Sequence, residues 1–304
     1  MRKNSVVVRL AGGLGNQLFQ YFAGQYVAHN NATSLVIDIR NLTRSTLENE
    51  TIETIKSFKA NNVQFINNLK RNHLGVKYYK KVLEKTHLNN RHATSLSKLS
   101  RNYFDKGYFG EPDKLLKILK PPIVLNGYYQ NFYFYDNLSL EVKSLELNHP
   151  SDWFKSNLDL LHTENPIVIH VRRGDYRGFT KQFGLLNFDY YKSAINLALE
   201  KRKEKSRIWV FSDEIEKVKI EFNGLSSFAE TRYVSRDRFQ DASEVLMLMS
   251  KAKDLVVANS MFSLWAAKIN DRKNVYCASE IFYDKRPVAS YPPINWNVVK
   301  SSWL

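Results

Sequence analysis

A chain of 304 residues is about twice the length of a usual domain, so it has room for two domains or one large one. With 43% hydrophobic and 25% charged residues it can bury a sizeable core, and no apolar run approaches the ~18 residues that a membrane span needs. The net charge of +15 is uneven: residues 56–101 carry eleven Lys and Arg against one acid, Glu84. A run of this kind fits a solvated face, an anionic membrane surface or a nucleic acid. Tyr78 and Tyr79 stand within it, but no nucleic-acid motif accompanies them, and no nucleic-acid partner is expected. Cys277 is the only cysteine, which excludes an internal disulfide and a multi-thiolate metal site and fits a reducing cytoplasm.

In chain order, Val6–Leu10 reads as a first strand, and its short apolar run before Arg9 is too brief for a signal-peptide core. The glycine-rich turn Ala11–Gly15 follows, then a helix from near Asn16 with Leu18, Phe19, Phe22, Ala23 and Tyr26 on one face. Leu35–Ile39 is a second strand, so the chain opens with a strand–helix–strand unit of a parallel sheet. Residues 40–120 are polar and weakly periodic and read as helical with long loops, and Val124–Tyr135 is dense in aromatics. After Pro150 come the strand Ile167–Val171, the helix Phe188–Lys203 and the strand Arg207–Ser212. The helix Ala242–Lys253, the strand Leu255–Ala258, the helix Met261–Asn270 and the strand Asn274–Ala278 complete the pattern. This alternation predicts an α/β fold of two Rossmann-like domains facing each other across a cleft.

Three segments have a composition suited to chemistry. Gly12-Gly13-Leu14-Gly15-Asn16-Gln17 joins a strand to a helix, where glycines let a ligand approach the backbone and the helix start favours an anion. A tight turn that simply needs glycine explains it equally well, and the spacing is not that of a dinucleotide-binding loop. His170-Val171-Arg172-Arg173-Gly174-Asp175-Tyr176 follows a strand directly, and ligands of open α/β sheets bind beyond the carboxyl ends of the strands. A guanidinium there can hold a phosphate bidentately, with Asp175 orienting it. Strand alternation sends Arg172 and Arg173 to opposite sides, which leaves one free to be structural. In Val257-Ala258-Asn259-Ser260-Met261-Phe262-Ser263 a strand runs through two serines into a helix, which suits either phosphate oxygens or an ordinary serine cap. No D-x-D occurs, so the simplest carboxylate arrangement for a divalent metal on a nucleotide diphosphate is missing. No Walker-A lysine loop, G-x-S-x-G elbow or H-E-x-x-H occurs either.

In this order the segments resemble the bacterial α-1,2-fucosyltransferases of glycosyltransferase family 11. The matching stretches are Gly12–Tyr21, Gly127-Tyr128-Tyr129-Gln130, His170–Tyr176, Val210-Phe211-Ser212-Asp213, Leu248-Met249-Ser250 and Ala258–Trp265, spanning residues 8 to about 270. The resemblance implies a GT-B-like fold, GDP-β-L-fucose as donor, no metal cofactor, and inversion to an α-linked product. It implies that Arg172 and His170 contact GDP and that Ser260, Phe262 and Ser263 line the phosphate site. Gly13, Gly15, Asn16, Gln17, Arg173, Asp213 and Asn259 join them as donor-side candidates, and Asp175 joins Arg172 and His170 on the catalytic side. Two departures stand out. The family's Trp-Trp-Gly is here Leu264-Trp265-Ala266, and its acid five residues before the serine of Leu-Met-Ser is here Val245, so Glu244 would have to read guanine from a shifted place.

The reading is therefore an acceptor-side domain at 1–150, a donor domain at 151–275, and a segment at 276–304 that packs back on the first. Expected partners are GDP-fucose and a galactose-terminated glycan or lipid-linked oligosaccharide, with contact to an anionic membrane surface through the basic run. The expected location is cytoplasmic, peripheral at the inner membrane face. Arg172 would stabilise the departing β-phosphate, and Asp38, at a strand end, is a guess for the general base.

Overall fold

We describe a computed structural model of the chain over residues 5–39, 42, 54–59, 63–66, 102–104, 120–202, 206–235, 242–269, 274–286, 288 and 291–304. The basic cluster Lys77, Lys80, Lys81 and Lys85, with Tyr78 and Tyr79, lies outside the described residues.

The chain divides into two compact units, one made of Met1–Gly12, Asn16–Ile52 and Ala60–Lys143, the other of Gly13–Gly15, Glu53–Lys59 and Ser144–Leu304. The first unit holds a five-stranded parallel sheet of β1 (Ser5–Arg9), β2 (Ser34–Asp38), β3 (Val63–Ile66), β4 (Asn102–Phe104) and β5 (Ile123–Asn126), in the order β3-β2-β1-β5-β4. Val6, Val7 and Val8 of β1 are buried on both faces, as a central parallel strand requires. Helix α1 (Leu14–Asn30) buries Leu18, Phe19, Phe22, Ala23, Tyr26 and Val27, the spacing expected of one helical face. It lies very close to the sheet, since a Cβ on Gly24 would stand 2.3 Å from Val8 Cγ2. Two short helices, α2 (Tyr133–Asp136) and α3 (Leu140–Lys143), end the unit, and the aromatics of 124–135 pack inward, with Phe132 against Phe19 and Tyr135 against Phe22. Where 40–120 is described it is not the helical region expected: β3 and β4 extend the sheet on its two sides, and only short 3-10 turns interrupt. Polar composition masked these strands, which are too short for a period to register.

The second unit begins with α4 (Asp152–Glu164), capped by Ser151, whose hydroxyl accepts from Phe154 N and whose helix closes at Asn165 in the left-handed conformation. Its six strands are β6 (Ile167–Val171), β7 (Ile208–Ser212), β8 (Thr231–Tyr233), β9 (Asp254–Val256), β10 (Asn274–Ala278) and β11 (Asn297–Val299). All are parallel, in the order β11-β10-β9-β6-β7-β8, the doubly wound Rossmann arrangement. Helices α5 (Phe188–Arg202), α6 (Ile215–Glu221), α7 (Ala242–Ser250) and α8 (Met261–Lys268) complete it. Ile167, Ile169 and Val171 pack with Tyr190, Ala194, Ile195 and Ala198 of α5, each large side chain contributing roughly 1.5–3 kcal/mol through burial.

Residues 276–304 depart from expectation. They belong to the second unit: β11 adds to the edge of β10, Ser279 N donates to Val299 O at 2.8 Å, and Leu304 N reaches Leu185 O at 2.8 Å. The open edge of β10 offers backbone groups that need partners, and Val299 carries an apolar side chain into the core beside it.

Candidate functional site

The order of the second sheet fixes where a ligand should lie. The chain leaves β6 toward β7 on one side and leaves β9 toward β10 on the other, so the crevice opens beyond the ends of β6 and β9. The segment after β6 is Arg172-Arg173 and the 3-10 turn Gly174–Phe179, and the segment after β9 runs through Asn259 and Ser260 into α8.

The two arginines part as alternation requires. Arg172 stays at the surface of the crevice, 26% exposed, with Nη2 2.6 Å from Asp175 Oδ1 and Nη1 2.9 Å from Asp213 Oδ2. Its guanidinium lies 5.4 Å over the Tyr176 ring, and its buried Nε has no partner. Burial alone would lower its pKa, but Asp213 and Asp175 outweigh that and hold it above its ordinary value. Arg173 is 1% exposed, pairs through Nε with Glu221 at 2.7 Å and lies over Phe222. Placed among the donor contacts by the sequence, Arg173 is instead engaged in a structural pair. Arg177 bonds the other oxygen of Glu221, and against the opposing effect of burial the two arginines hold that carboxyl below its usual range. Burial raises the Asp213 carboxyl, with Arg172 opposing, while its Oδ1 accepts the Arg173 N–H at 2.9 Å. Gly174 makes room for this carboxylate, since a Cβ there would stand 2.3 Å from Asp213 Oδ2.

His170 is 4% exposed, its ring centroid 5.5 Å from that of Phe262, and its Nδ1 has no partner. Burial, and then the Arg172 charge, push its pKa down to about 3, so the imidazole is neutral. Phe262 of the third segment thus packs against His170 of the second. Ser260 precedes α8 without capping it, leaving the N–H groups of the first turn uncapped by a side chain. Gly15 lies against this turn, where a Cβ would stand 2.5 Å from Phe262 N. Two other candidates of the segment serve the fold. The Asn259 amide donates to Phe183 O at 2.8 Å, and Ser263 Oγ accepts from Ala258 N at 2.9 Å, closing the turn.

Glu244 is likewise engaged in the fold. Its two oxygens accept from Ser151 N at 2.6 Å and Ser151 Oγ at 2.7 Å, which anchors the start of α4 and leaves no oxygen of it without a partner for a guanine. Gly12 of the first unit, at φ 76°, and Gly13 of the second are exposed, and Gln17 Nε2 folds back to Gly12 O at 3.0 Å. Asn16 Oδ1 accepts from Gln130 Nε2 at 2.6 Å. Asp38 is 3% exposed and paired with Arg9 at 3.4 Å, which argues against its use as a base. Tyr176, which has no role legible in the sequence, donates to Asn259 O at 3.1 Å and meets the Ser260 hydroxyl, joining the segments after β6 and β9. Its only signal in the sequence was its place at the end of the His170–Tyr176 run.

The model of glycosyl transferase family 11 matches residues 5–300. An alpha-1,2-colitosyltransferase of Escherichia coli is 28% identical over 295 residues, covering 95% of this chain and 96% of that one. The O-antigen biosynthesis glycosyltransferase WbnK of Escherichia coli is 30% identical over 292 residues, covering 86% and 89%. In fold the chain is similar to NodZ, an alpha-1,6-fucosyltransferase of Bradyrhizobium co-crystallized with GDP, at a TM-score of 0.50 and 13% identity over 90% of this chain and 94% of that one. The likeness agrees with the α/β, GT-B-like class expected from the sequence. No helix among the described residues is long and apolar enough to cross a membrane.

Proposed function

The chain belongs to glycosyltransferase family 11, and on that premise we propose that it moves L-fucose from GDP-β-L-fucose to a galactoside hydroxyl in α-1,2 linkage, for a surface polysaccharide of the O-antigen kind. The observation that carries this reading is Arg172, a guanidinium on the crevice at the sheet's topological switch point, whose carboxylate partners are themselves partly solvated. A diphosphate entering there offers the same bidentate geometry and exchanges with Asp175 or Asp213 as partner. As the bond from the sugar carbon to the β-phosphate breaks, charge gathers on the phosphate and the interaction with Arg172 strengthens. The acceptor hydroxyl attacks the opposite face of the sugar and releases its proton, which inverts the configuration. Neutral His170 and Phe262 wall the site, and the first turn of α8 presents N–H groups to phosphate oxygens. No metal takes part in this scheme, because the arginine supplies the charge.

The α-1,2 and O-antigen descriptions of the two Escherichia coli relatives support the linkage and the pathway class. The similarity to a colitosyltransferase also favours one second reading, transfer from another GDP-sugar. Incubating the enzyme with a panel of GDP-sugars and of galactose-terminated acceptors, followed by linkage analysis of the product, decides between them. An α-1,2-fucoside is the expected product. In the same reading the basic run 56–101 adsorbs the enzyme to anionic lipid, where a lipid-linked acceptor resides.

A further inference from the structure

Among the described residues of the first unit, two amide side chains, half-buried Asn126 and buried Gln130, are each half satisfied. Asn126, the last residue of β5, accepts a hydrogen bond from Arg9 Nη1 at 3.2 Å, while its buried Nδ2 has no partner. Gln130, 5% exposed, donates through Nε2 to Asn16 at 2.6 Å, while its buried Oε1 has none. A buried polar atom without a partner is costly, so two of them four residues apart call for an explanation.

Their place in the sheet supplies one. In the order β3-β2-β1-β5-β4 the chain leaves β1 toward β2 and leaves β5, on the other side of β1, out of the sheet into α2, and ligands of open α/β sheets bind beyond the carboxyl ends of such strands. Val8 is paired with Leu125, which puts Arg9 and Asn126 on the next rung at that end. The segment between the two amides is held in an uncommon shape. Gly127 has φ 132°, Tyr129 stands at φ 50° with its hydroxyl on Asn126 O at 3.1 Å, and Gln20 Nε2 holds Gly127 O at 2.9 Å. A tyrosine at positive φ costs free energy that other contacts must offset, and such residues cluster at ligand sites.

The chemistry of the two atoms narrows the ligand. An anion needs donors and a cation needs acceptors, whereas this pair offers one donor, Asn126 Nδ2, and one acceptor, Gln130 Oε1. The nearby charge of Arg9 is compensated by Asp38. A neutral group that both donates and accepts is a hydroxyl, and adjacent hydroxyls are the signature of a saccharide. Half-buried Tyr128 lies between the two amides in sequence. We infer that Asn126 and Gln130 form a saccharide-hydroxyl site in the first unit and that it seats the acceptor sugar, an assignment that rests on the glycosyltransferase reading above.

Asn126→Asp is the sharpest probe, because it keeps the oxygen that faces Arg9 and replaces the orphan donor with an acceptor. Gln130→Met is the second variant, removing the orphan acceptor, and with it the Nε2 donor to Asn16, at similar volume. Methyl β-D-galactopyranoside is titrated into GDP-saturated protein and followed by ligand-observed NMR, and GDP is titrated separately by calorimetry. The expected result is at least a tenfold loss of galactoside affinity in both variants, with GDP affinity within twofold of the wild type. Unchanged galactoside binding in both variants overturns the inference and leaves the orphan atoms to ordered water. Loss of GDP affinity along with galactoside affinity overturns it too, as a general structural defect, and so does a wild type that binds GDP but no galactoside. A wild type that binds galactoside but no GDP removes the donor reading and leaves this site standing.

Discussion

Arg172 and Asp213 meet across the ends of neighbouring strands: Nη1 of the arginine, just past β6, lies 2.9 Å from Oδ2 of the aspartate, just past β7. With Asp175 on the other terminal nitrogen, one guanidinium serves two carboxylates, and both carboxylates retain access to water. The arginine is thus held in place without being sealed, which is what a group that must later accept a phosphate requires.

Arg172→Ala should lower kcat by about a hundredfold or more, roughly 3 kcal/mol of transition-state stabilisation, with a normal circular dichroism spectrum. Arg172→Lys should restore little, since an ammonium is a point charge and not a fork. Arg173→Ala should act in the opposite way, lowering the urea midpoint because Glu221 loses the buried partner at 2.7 Å, while the folded fraction keeps its activity. Initial rates normalised to folded protein measure both. More than about a tenth of wild-type activity in Arg172→Ala would move the phosphate role elsewhere.

Two glycines should respond differently to alanine. At Gly174 the clash is with the tip of a side chain, Asp213 Oδ2 at 2.3 Å, which can swing aside at the expense of Arg172's partner. Activity should fall about tenfold or more, with little change in melting temperature. At Gly15 the clash is with backbone, Phe262 N at 2.5 Å and Met261 C at 2.6 Å, which cannot yield locally. That variant should lose about 1–3 kcal/mol of stability. Thermal melts beside rate measurements separate the two outcomes.

The sequence was most legible where burial is complete. Ile167–Val171 and Asn274–Ala278 are strands over the residues read from their apolar runs, because a parallel strand covered on both faces needs no alternation. The split between Arg172 and Arg173 was also legible, from alternation alone. Helix α4 carries its own signal in the sequence, Ser151 before an amphipathic run. The engagements of Glu244 with Ser151, 93 residues away, and of Asn259 with Phe183, 76 residues away, had no local signal at all. Asn126 and Gln130 belong with these, since an orphan amide atom is defined by what tertiary packing withholds from it.

The neutral His170 makes stability depend on pH. Its folded pKa is lowered to about 3 by burial and by Arg172, while an unfolded histidine titrates near 6.5. Between those values the unfolded chain binds the extra proton, so stability falls as pH drops below about 6.5, with a slope of about 1.4 kcal/mol per pH unit from this residue. At pH 5 the loss should be roughly 2 kcal/mol. Urea midpoints at pH 7 and pH 5 should differ less in His170→Phe than in the wild type. An identical difference would mean that His170 is protonated in the folded protein.

Metal removal gives a further check. If Arg172 alone neutralises the leaving group, exhaustive EDTA treatment should leave the initial rate within about twofold of the untreated enzyme, and added manganese should not raise it. A strict requirement for manganese or magnesium would sink the arginine-only account.

Glu244 separates a structural carboxylate from a base-reading one. Its oxygens accept from Ser151 N and Ser151 Oγ at 2.6 and 2.7 Å, and Ser151 Oγ in turn accepts from Phe154 N at 3.2 Å. The chain of bonds joins α7 to the first turn of α4, so it ties two helices that are distant in sequence. In Glu244→Gln one acceptor becomes an N–H that faces a donor, which breaks one link and leaves a buried group unsatisfied. The expected loss is about 1–3 kcal/mol in urea unfolding, with GDP affinity of the folded protein unchanged. A carboxylate that instead gripped guanine N–H groups would give the reverse, unchanged stability with GDP affinity down tenfold or more. Calorimetric titration of GDP into wild type and Glu244→Gln, at a temperature where both are folded, decides the matter, and the reverse pattern would return Glu244 to the donor site.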